Sequence, residues 1–359
     1  MKNNELPKVS IIIVNLNGKR WLEKCMPSVL NSNYPRDRIE VILVDNGSTD
    51  GSVEFAKELL KKEQVKFKII QNRKNRGWSP ANNQGAEVAG GKILLFLSND
   101  MEVDKNWIRE IIKIFKLDPK AGVVQCNSIS MWDRKTLDSA MNYLDRYGFA
   151  YGYFPQENPW KVFFAEGMAF AIRKNVFDTV SGLDEYYFME YDDMDLCWRV
   201  RLAGHEVYFS PKSIVYHARG GTVGGTYFKR QTRNTVQYVR NHYVTLIKNY
   251  ELKNLIPALF IVTNIQIGKI TYFLIKRDFR LAKATFIGIF QVLRDLKLIL
   301  KKRKKVQKNI RKISDKKVMT YMHPFLPSLL YKYIILQKKG KRFILNSKPP
   351  LKEAYIEKN

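Results

Sequence analysis

From Val9 to about Asn127, short β-branched runs alternate with longer segments whose apolar residues recur at helical spacing. That is the pattern of βα units laid around a largely parallel sheet. The spacing predicts strands at Val9–Asn15, Glu40–Asp45, Phe67–Gln71, Lys92–Leu97 and Val123–Asn127. Helices are expected between them at Lys19–Leu30, Ser52–Lys62, Pro80–Ala89 and Lys105–Leu117, the third opening with a proline whose missing N–H costs no intrahelical bond in a first turn. The implied fold is α/β: a mainly parallel, doubly wound sheet with helices on both faces. Ligands of such sheets bind just beyond the carboxyl ends of the strands, and polar loops follow four of the runs there: Asn15–Gly18, Asp45–Gly51, Asn72–Gly77 and Ser98–Asp100. A second block, 163–221, is rich in aromatic and acidic residues and places Glu190, Asp192, Asp193 and Asp195 ahead of a helix expected at Leu196–Ala203.

Beyond Tyr250 the texture changes to long apolar stretches, Leu255–Ile275 and Leu281–Leu300, followed by the run Lys301-Lys302-Arg303-Lys304-Lys305. The chain therefore divides into a catalytic domain at 1–250 and a helical, apolar and strongly basic region at 251–359. Thr263, Gln266 and Lys269 interrupt the first stretch at helical spacing, which argues for a helix lying in a membrane interface or against a partner more than for a span.

Charge sharpens this division. The chain of 359 residues carries +28 overall; residues 1–240 hold 35 basic and 28 acidic side chains, whereas 241–359 hold 27 and 6, a net +21. Such a tail implies an anionic partner, either acidic lipid headgroups or nucleic-acid phosphates, or else a solvated basic face. Cys25, Cys126 and Cys197 are too few and too widely spaced for a disulfide framework or a zinc ribbon, so a reducing, cytoplasmic compartment fits. The apolar run Val9–Val14 is too short for a signal-peptide core or a span.

Several residues carry candidate chemistry. Asp45 ends a buried run and starts a polar turn, so its carboxylate is placed either to accept N–H or hydroxyl donors from a nucleotide or to cap the next helix; Asp50, directly before Gly51, reads as the cap. Asn72–Asn83 combines three cations, a glycine and a helix start, the equipment of a phosphate-facing loop or simply of a solvated one. Asp100 closes the apolar run Ile93–Leu97, where one carboxylate can hold a hard divalent cation, Mn²⁺ or Mg²⁺, against a diphosphate. His217 ends another strand-like run and is either a ligand or a structural imidazole. Four carboxylates in six residues, Glu190 to Asp195, repel one another and favour a raised pKa, which suits a general base; acids in a first helical turn are the alternative.

Val14-Asn15-Leu16-Asn17-Gly18, Val44 through Asp50, Asn75 through Asn83, Leu97 through Asp100, Gly182-Leu183-Asp184-Glu185, Glu190 through Arg199 and His217 stand in the order and spacing of a known family. By these motifs, from about Val9 to Tyr250, the chain resembles glycosyltransferase family 2, in particular its rhamnosyltransferase-like members. The resemblance implies a GT-A fold, a nucleotide-sugar donor (dTDP- or UDP-sugar), a divalent metal, Mn²⁺ or Mg²⁺, and inversion at the anomeric carbon by direct displacement. It implies a donor pocket drawn from Asn15, Asn17, Asp45, Asn75, Gly77, Asn82 and Asn99, with Asp45 on the base; a metal held by Asp100 and His217; and Asp193, beside Asp192, taking the acceptor's proton. Ser98 stands where the family often has an acid or Asn, so metal binding would lean on Asp100, His217 and the diphosphate. Asp192 replaces the usual Glu of the Glu-Asp pair and is one methylene shorter.

Three other readings explain less. A nucleic-acid-binding protein would account for the charge but not for the acidic cluster, and no nucleic-acid module is recognisable; no nucleic-acid partner is expected. A sugar nucleotidyltransferase would carry a Gly-rich loop after the first strand, where Gly18 stands alone. A processive synthase would add several clear spans and a Gln-x-x-Arg-Trp motif, which Gln231-Thr232-Arg233-Asn234 is not. The expected setting is the cytoplasmic face of the cell membrane, with a glycan or lipid-linked acceptor and the basic tail on anionic lipid. The aromatic stretch Tyr143–Phe154 with Trp160 reads as core packing, or as a platform for sugar rings.

Overall fold

The structure, a computed structural model, describes residues 6–219, 227–325 and 344–345. In chain order its elements are β1 (Val9–Asn15), α1 (Lys19–Leu30), β2 (Ile39–Asp45), α2 (Ser52–Lys62), β3 (Lys66–Gln71), α3 (Trp78–Val88), β4 (Ile93–Ser98), β5 (Met101–Val103), α4 (Trp107–Leu117) and β6 (Ala121–Ser130). Then come β7 (Met141–Leu144), β8 (Ala150–Tyr153), β9 (Trp160–Lys161), β10 (Ala169–Arg173), α5 (Lys174–Thr179), α6 (Asp192–Leu202) and β11 (Glu206–His217). The chain continues through α7 (Tyr227–Asn249), α8 (Leu252–Ile275), α9 (Phe279–Arg294), α10 (Leu296–Lys305), α11 (Asp315–Met319) and the short strand β12 (Ile344–Leu345).

The central sheet runs β3-β2-β1-β4-β10-β6-β11-β5, with β9 on β11. Its first four strands are parallel. Alternate residues of each strand point to opposite faces, and both faces are covered: Val9, Ile11 and Ile13 of β1 pack with α1, α2 and α4, while Ile12 packs toward α3 and the helices of the second half. Each such buried side chain contributes about 1.5–3 kcal/mol. The far half keeps the mainly parallel character, β6 and β11 pairing in parallel, with β10 inserted antiparallel to both β4 and β6. After β6 the chain returns through β7, β8 and β9 without a crossover helix, so it re-enters the sheet from the carboxyl edge.

β5 and β11 were not anticipated as partners, and their pairing matters most for the site. They are antiparallel, with His217 opposite Met101. β11 reaches that position through an irregularity between Ser210 and Ile214, where Pro211 cannot donate to a ladder. The aromatic stretch is core: Tyr143, Phe149, Tyr151 and Tyr153 are buried, and the Tyr143 hydroxyl donates to the Lys161 carbonyl at 2.7 Å.

The helices beyond β11 share one hydrophobic cluster with the sheet, through Leu255, Val262, Val292 and Ile299 among others. Part of the basic run has a local task. The Arg303 guanidinium donates to the carbonyl of Tyr250 at 2.6 Å and also to that of Ile247, and Gln307 donates to that of Lys248 at 2.8 Å; Arg311 reaches the carbonyl of Asn249. These are the unsatisfied carbonyls at the C-terminal end of α7, where cations also complement the helix dipole. The rest of the tail, 326–343 and 346–359, lies outside the described residues, as does the segment 220–226 that closes the second sequence block.

α7 is locked to α6 by charges without water. Lys248 bridges Asp184 and Asp195, lying 2.9 Å from the latter; the Arg199 Nε donates to Asp195 at 2.8 Å and Asn249 donates to it at 3.0 Å. Burial opposes ionisation of both acids, but Arg199 and Lys248 hold Asp195 below the usual carboxylate range, and Lys248 and Lys302 do the same for Asp184. Their contribution to stability is thus present above the ordinary carboxylate pKa and is lost as pH falls through the depressed values. Lys248→Met leaves two acids facing each other in the core and should destabilise the fold by about 3–5 kcal/mol. Urea unfolding measures this, and a loss below about 1 kcal/mol would show that the network is not a structural tie.

Candidate active site

The polar loops after β1, β2, β3 and β4 meet at one edge of the sheet. They wall a cleft of about 370 Å³ lined by Val14, Asn15, Leu16, Asn46, Asn75, Gly77, Trp78, Ser98, Asn99, Asp100, Phe188, Met189 and Arg233. A hydrogen-bond wire sets its floor. The Asn99 amide donates to Asn15 Oδ1 at 2.7 Å, and the Asn15 amide donates to Asp45 Oδ1 at 3.0 Å. Gly18 permits the wire: a Cβ there would lie 2.1 Å from Asn99 Nδ2 and 2.6 Å from Asn15 Oδ1. Gly77, at φ +91°, leaves room for the Phe188 ring, which a Cβ would meet at 3.0 Å.

Asn15, Asn75, Gly77, Asn99 and Asp100 line the cleft as the sequence reading has it. Asp45, Asn17 and Asn82 lie behind the wall. Asp45 accepts N–H bonds from Gly47 at 3.1 Å and Ser48 at 2.8 Å as well as the Ser48 hydroxyl, so its carboxylate closes the turn after β2. Asn17 braces the same turn, its N–H donating to Ser48 Oγ at 2.8 Å and its Oδ1 accepting from the Thr49 N–H at 2.9 Å. Asn82 is fully buried on α3; its amide donates to the Trp78 carbonyl at 3.0 Å, while its Oδ1 has no hydrogen-bond partner. Asp50 caps as expected, accepting N–H bonds from Lys19 and Ser52. Arg73, Lys74 and Arg76 are exposed and do not line the cleft.

At one end of the cleft the β5–β11 pairing sets His217 Nε2 3.3 Å from Asp100 Oδ2. The other ring nitrogen, Nδ1, is 2.7 Å from Asp138 Oδ2. Asp138 also accepts the Ser128 hydroxyl at 3.0 Å and pairs with Arg219. Burial disfavours the imidazolium, but hydrogen bonds and charge from Asp100 and Asp138 outweigh it and raise His217 to about 9. No periodicity announces Asp138. It comes from the turn after β6, where Asp133 accepts N–H bonds from Lys135 and Thr136 and folds the chain back on itself.

A carboxylate and an imidazole, the latter gripped from behind by a second carboxylate, are donors of the kind a hard divalent cation takes when ligand oxygens supply the rest. Among the described residues there is no group of three or more His, Cys, Asp or Glu side chains that would hold a metal unaided. The pair fits a cation that a diphosphate helps to hold.

The acids that start α6 do not line the cleft but stand behind Trp78, which does. Asp193 is part-buried; its Oδ2 accepts the Gly167 N–H at 2.9 Å and its Oδ1 the Met194 N–H at 2.7 Å. Burial, with the nearby Glu166 charge, pushes its pKa up to about 6 against those two N–H bonds. Asp192 is more deeply buried, and burial together with Asp193 drives it well above the carboxylate range. Asp195 belongs to the Lys248 network and not to the cleft. Trp78 connects Asp193 to the cleft, since its indole nitrogen and the Asp193 carboxylate both lie within 3.7 Å of the Cβ position at Gly167.

The segment leading into these acids is strained. Glu190 and Tyr191 are consecutive L-residues at φ +66° and +69°, a conformation costing about 1–2 kcal/mol per residue. α7 holds them there. Asn241 donates to the carbonyls of Met189 and Glu190 at 2.8 Å each, and the Tyr191 hydroxyl donates to the Gly148 carbonyl at 3.0 Å while lying 3.1 Å from the Tyr238 hydroxyl.

Residues 10–181 match the family described as Glycosyl transferase family 2. The chain is similar to the probable glycosyltransferase YdaM of Bacillus subtilis (strain 168), 26% identical over 252 residues that span 67% of this chain and 57% of that protein. It is also similar to a poly-beta-1,6-N-acetyl-D-glucosamine synthase of Staphylococcus epidermidis, 22% identical over 76% of this chain and 64% of that protein. The chain thus spans about three fifths of the length of these relatives. Among solved structures it shares its fold with the mannosyltransferase PcManGT from Pyrobaculum calidifontis in complex with GDP-Man and Mn²⁺, with a TM-score of 0.55, 15% identity, and coverage of 94% of this chain and 88% of that one. Polar loops at the strand ends, a carboxylate–imidazole pair and a raised acid are thus built on a fold shared with a nucleotide-sugar enzyme. The likeness of this chain to glycosyl transferase family 2 thus rests on residues 10–181.

Proposed function

We propose that the protein is an inverting glycosyltransferase of the rhamnosyltransferase-like type. It moves a hexosyl or deoxyhexosyl group from a dTDP- or UDP-sugar to a hydroxyl of a glycan or lipid-linked acceptor in cell-surface polysaccharide or glycoconjugate synthesis. One observation carries the reading: the Asp100–His217–Asp138 cluster and the raised acid Asp193 stand at the same loop edge, one suited to a diphosphate's cation and the other to an acceptor's proton.

The donor lies across Asn15, Asn75, Gly77 and Asn99, with the phosphates toward Asp100. Asp45 and Asn17 shape the turn that presents Asn46, and Asn82 supports the α3 end of the pocket. Asp100 and His217 would hold Mn²⁺ or Mg²⁺, which when bound neutralises charge on the departing diphosphate. Asp193 accepts the proton of the acceptor hydroxyl as its oxygen attacks the anomeric carbon; the sugar–phosphate bond breaks with its electron pair going to the diphosphate, and the configuration inverts. The nearby Glu166 charge favours the proton's arrival by like-charge repulsion, with Asp192 buried beside it. The basic tail supports placement at the cytoplasmic face of an anionic membrane, where a lipid-linked acceptor would be found.

Asp193→Asn should lower transfer by about 10²–10⁴-fold and leave nucleotide binding within a few-fold. Because the base works deprotonated, wild-type kcat should rise as pH rises through about 6. A variant with full activity, or a flat acid limb, would move the base elsewhere. Asp45→Ala opens the turn behind Asn15 and Asn46, so donor affinity should fall about tenfold while the folded state persists; unchanged affinity would reduce Asp45 to a loop brace. Calorimetric titration of UDP, dTDP and GDP with and without Mn²⁺ tests the site before any acceptor is known. Metal-dependent binding of one nucleotide, lost in Asp100→Ala, is the expected result, and no binding by folded protein would sink the donor-site reading.

A further inference from the structure

α8 is inverted relative to an ordinary surface helix. Its inward face carries Gln266 and Lys269 as well as Leu255, Val262 and Phe273, and the Lys269 ammonium lies 5.9 Å from the centre of the Tyr238 ring on α7. The outward face is apolar. Ile256, Phe260 and Ile267 are 67%, 68% and 54% exposed, and on α9 Phe286, Phe290 and Leu293 are 62%, 54% and 65% exposed. The spacing of Thr263, Gln266 and Lys269 alone does not say which way the polar stripe of α8 turns; the structure turns it toward the protein. The polar residues left on the outward face satisfy themselves, Asn264 donating to the Phe260 carbonyl at 2.8 Å and Thr271 to the Ile267 carbonyl at 3.1 Å. Such bonds to the preceding turn spare those groups any need for water.

We infer that α8 and α9 form a monotopic docking face that lies flat in the headgroup–acyl boundary of an anionic bilayer. This rests on the membrane setting proposed above and adds the surface and its orientation. α8 has 24 residues, about 36 Å at 1.5 Å per residue, so length alone would allow a span. Packing does not: the inward face from Leu255 to Phe273 is buried along its length. A helix so attached meets a bilayer only along its side, which suits burial of an apolar face by about 5–10 Å.

Charge selects the occupant. The rim bears exposed Lys276, Arg277 and Lys283, and α10 adds exposed Lys301, Lys304 and Lys305. The acids nearby are engaged: Asp278 caps α9 through the Leu281 N–H, and Asp295 pairs with Arg294. A second copy brought face to face would set these cations against their like, whereas anionic headgroups complement them.

The test uses the full chain and vesicles of phosphatidylcholine with or without phosphatidylglycerol. Cys25, Cys126 and Cys197 are buried, so Ile256→Cys, Ile267→Cys and Leu274→Cys can each be labelled selectively with an environment-sensitive fluorophore and read against lipid-borne quenchers of known depth. All three probes should report one shallow depth, with vesicle binding several-fold stronger when phosphatidylglycerol is present and weaker in high salt. The pair Phe260→Glu and Phe286→Glu should lower vesicle partitioning at least tenfold while leaving nucleotide binding unchanged. Depths graded by about 27 Å from position 256 to 274 would mean a span and overturn the inference. So would absence of vesicle binding at low salt, or lipid-free dimers that bury the probes. Nucleotide binding measured in parallel separates the two claims: if it persists without vesicle binding, the docking face falls and the transferase reading stands; vesicle binding without any nucleotide binding has the opposite meaning.

Discussion

Four charges removed from water, on Asp184, Asp195, Arg199 and Lys248, are the constraint around which the second half of the molecule is arranged. Ions in a protein interior are tolerated only when each finds its counter-charge and its hydrogen bonds. Asp184 comes from the loop before the acids, Asp195 and Arg199 from α6, and Lys248 from the end of α7, so satisfying the set fixes three segments at once. Arg303 and Gln307 then cap the carbonyls that α7 leaves open beside it. The C-terminal helices are therefore part of the scaffold that aims α6 at the cleft.

The first half solves a different problem. Four parallel strands end together, and the polar groups at their ends bond chiefly to one another: Asn99 to Asn15, Asn15 to Asp45, Asp45 to the turn behind it. A floor wired in this way presents few loose side chains to a ligand, which lowers the entropy lost on binding. The Asp100–His217 contact brings together residues more than a hundred positions apart, and it exists because two short antiparallel stretches register at the sheet's edge.

The first half was legible because its signals are local. β1, α1 and α2 have the boundaries that hydrophobic periodicity assigns them, and the loops after each strand hold the residues that face the cleft. What could not be read depends on long-range pairing. Asp138 sits in a turn without periodicity and acquires meaning only when β6 folds back beside β11. Phe188 and Arg233 enter the cleft from the second half. The face that α8 presents could not be read, because a polar stripe on an apolar helix has the same spacing whichever side the protein lies on; only α7 settles it. The antiparallel entry of β10 has no sequence mark beyond the missing helix before it.

The left-handed pair Glu190–Tyr191 has a consequence for how this protein could be altered. Glycine at position 190 would suit the backbone better and relieve the local cost, yet it would also widen the range of directions from which the chain can enter α6, and at 191 it would strip out a buried ring as well. Thermal tolerance and aim are therefore opposed at this spot, and Asn241, whose one amide group grips two successive carbonyls, is where the protein chooses aim.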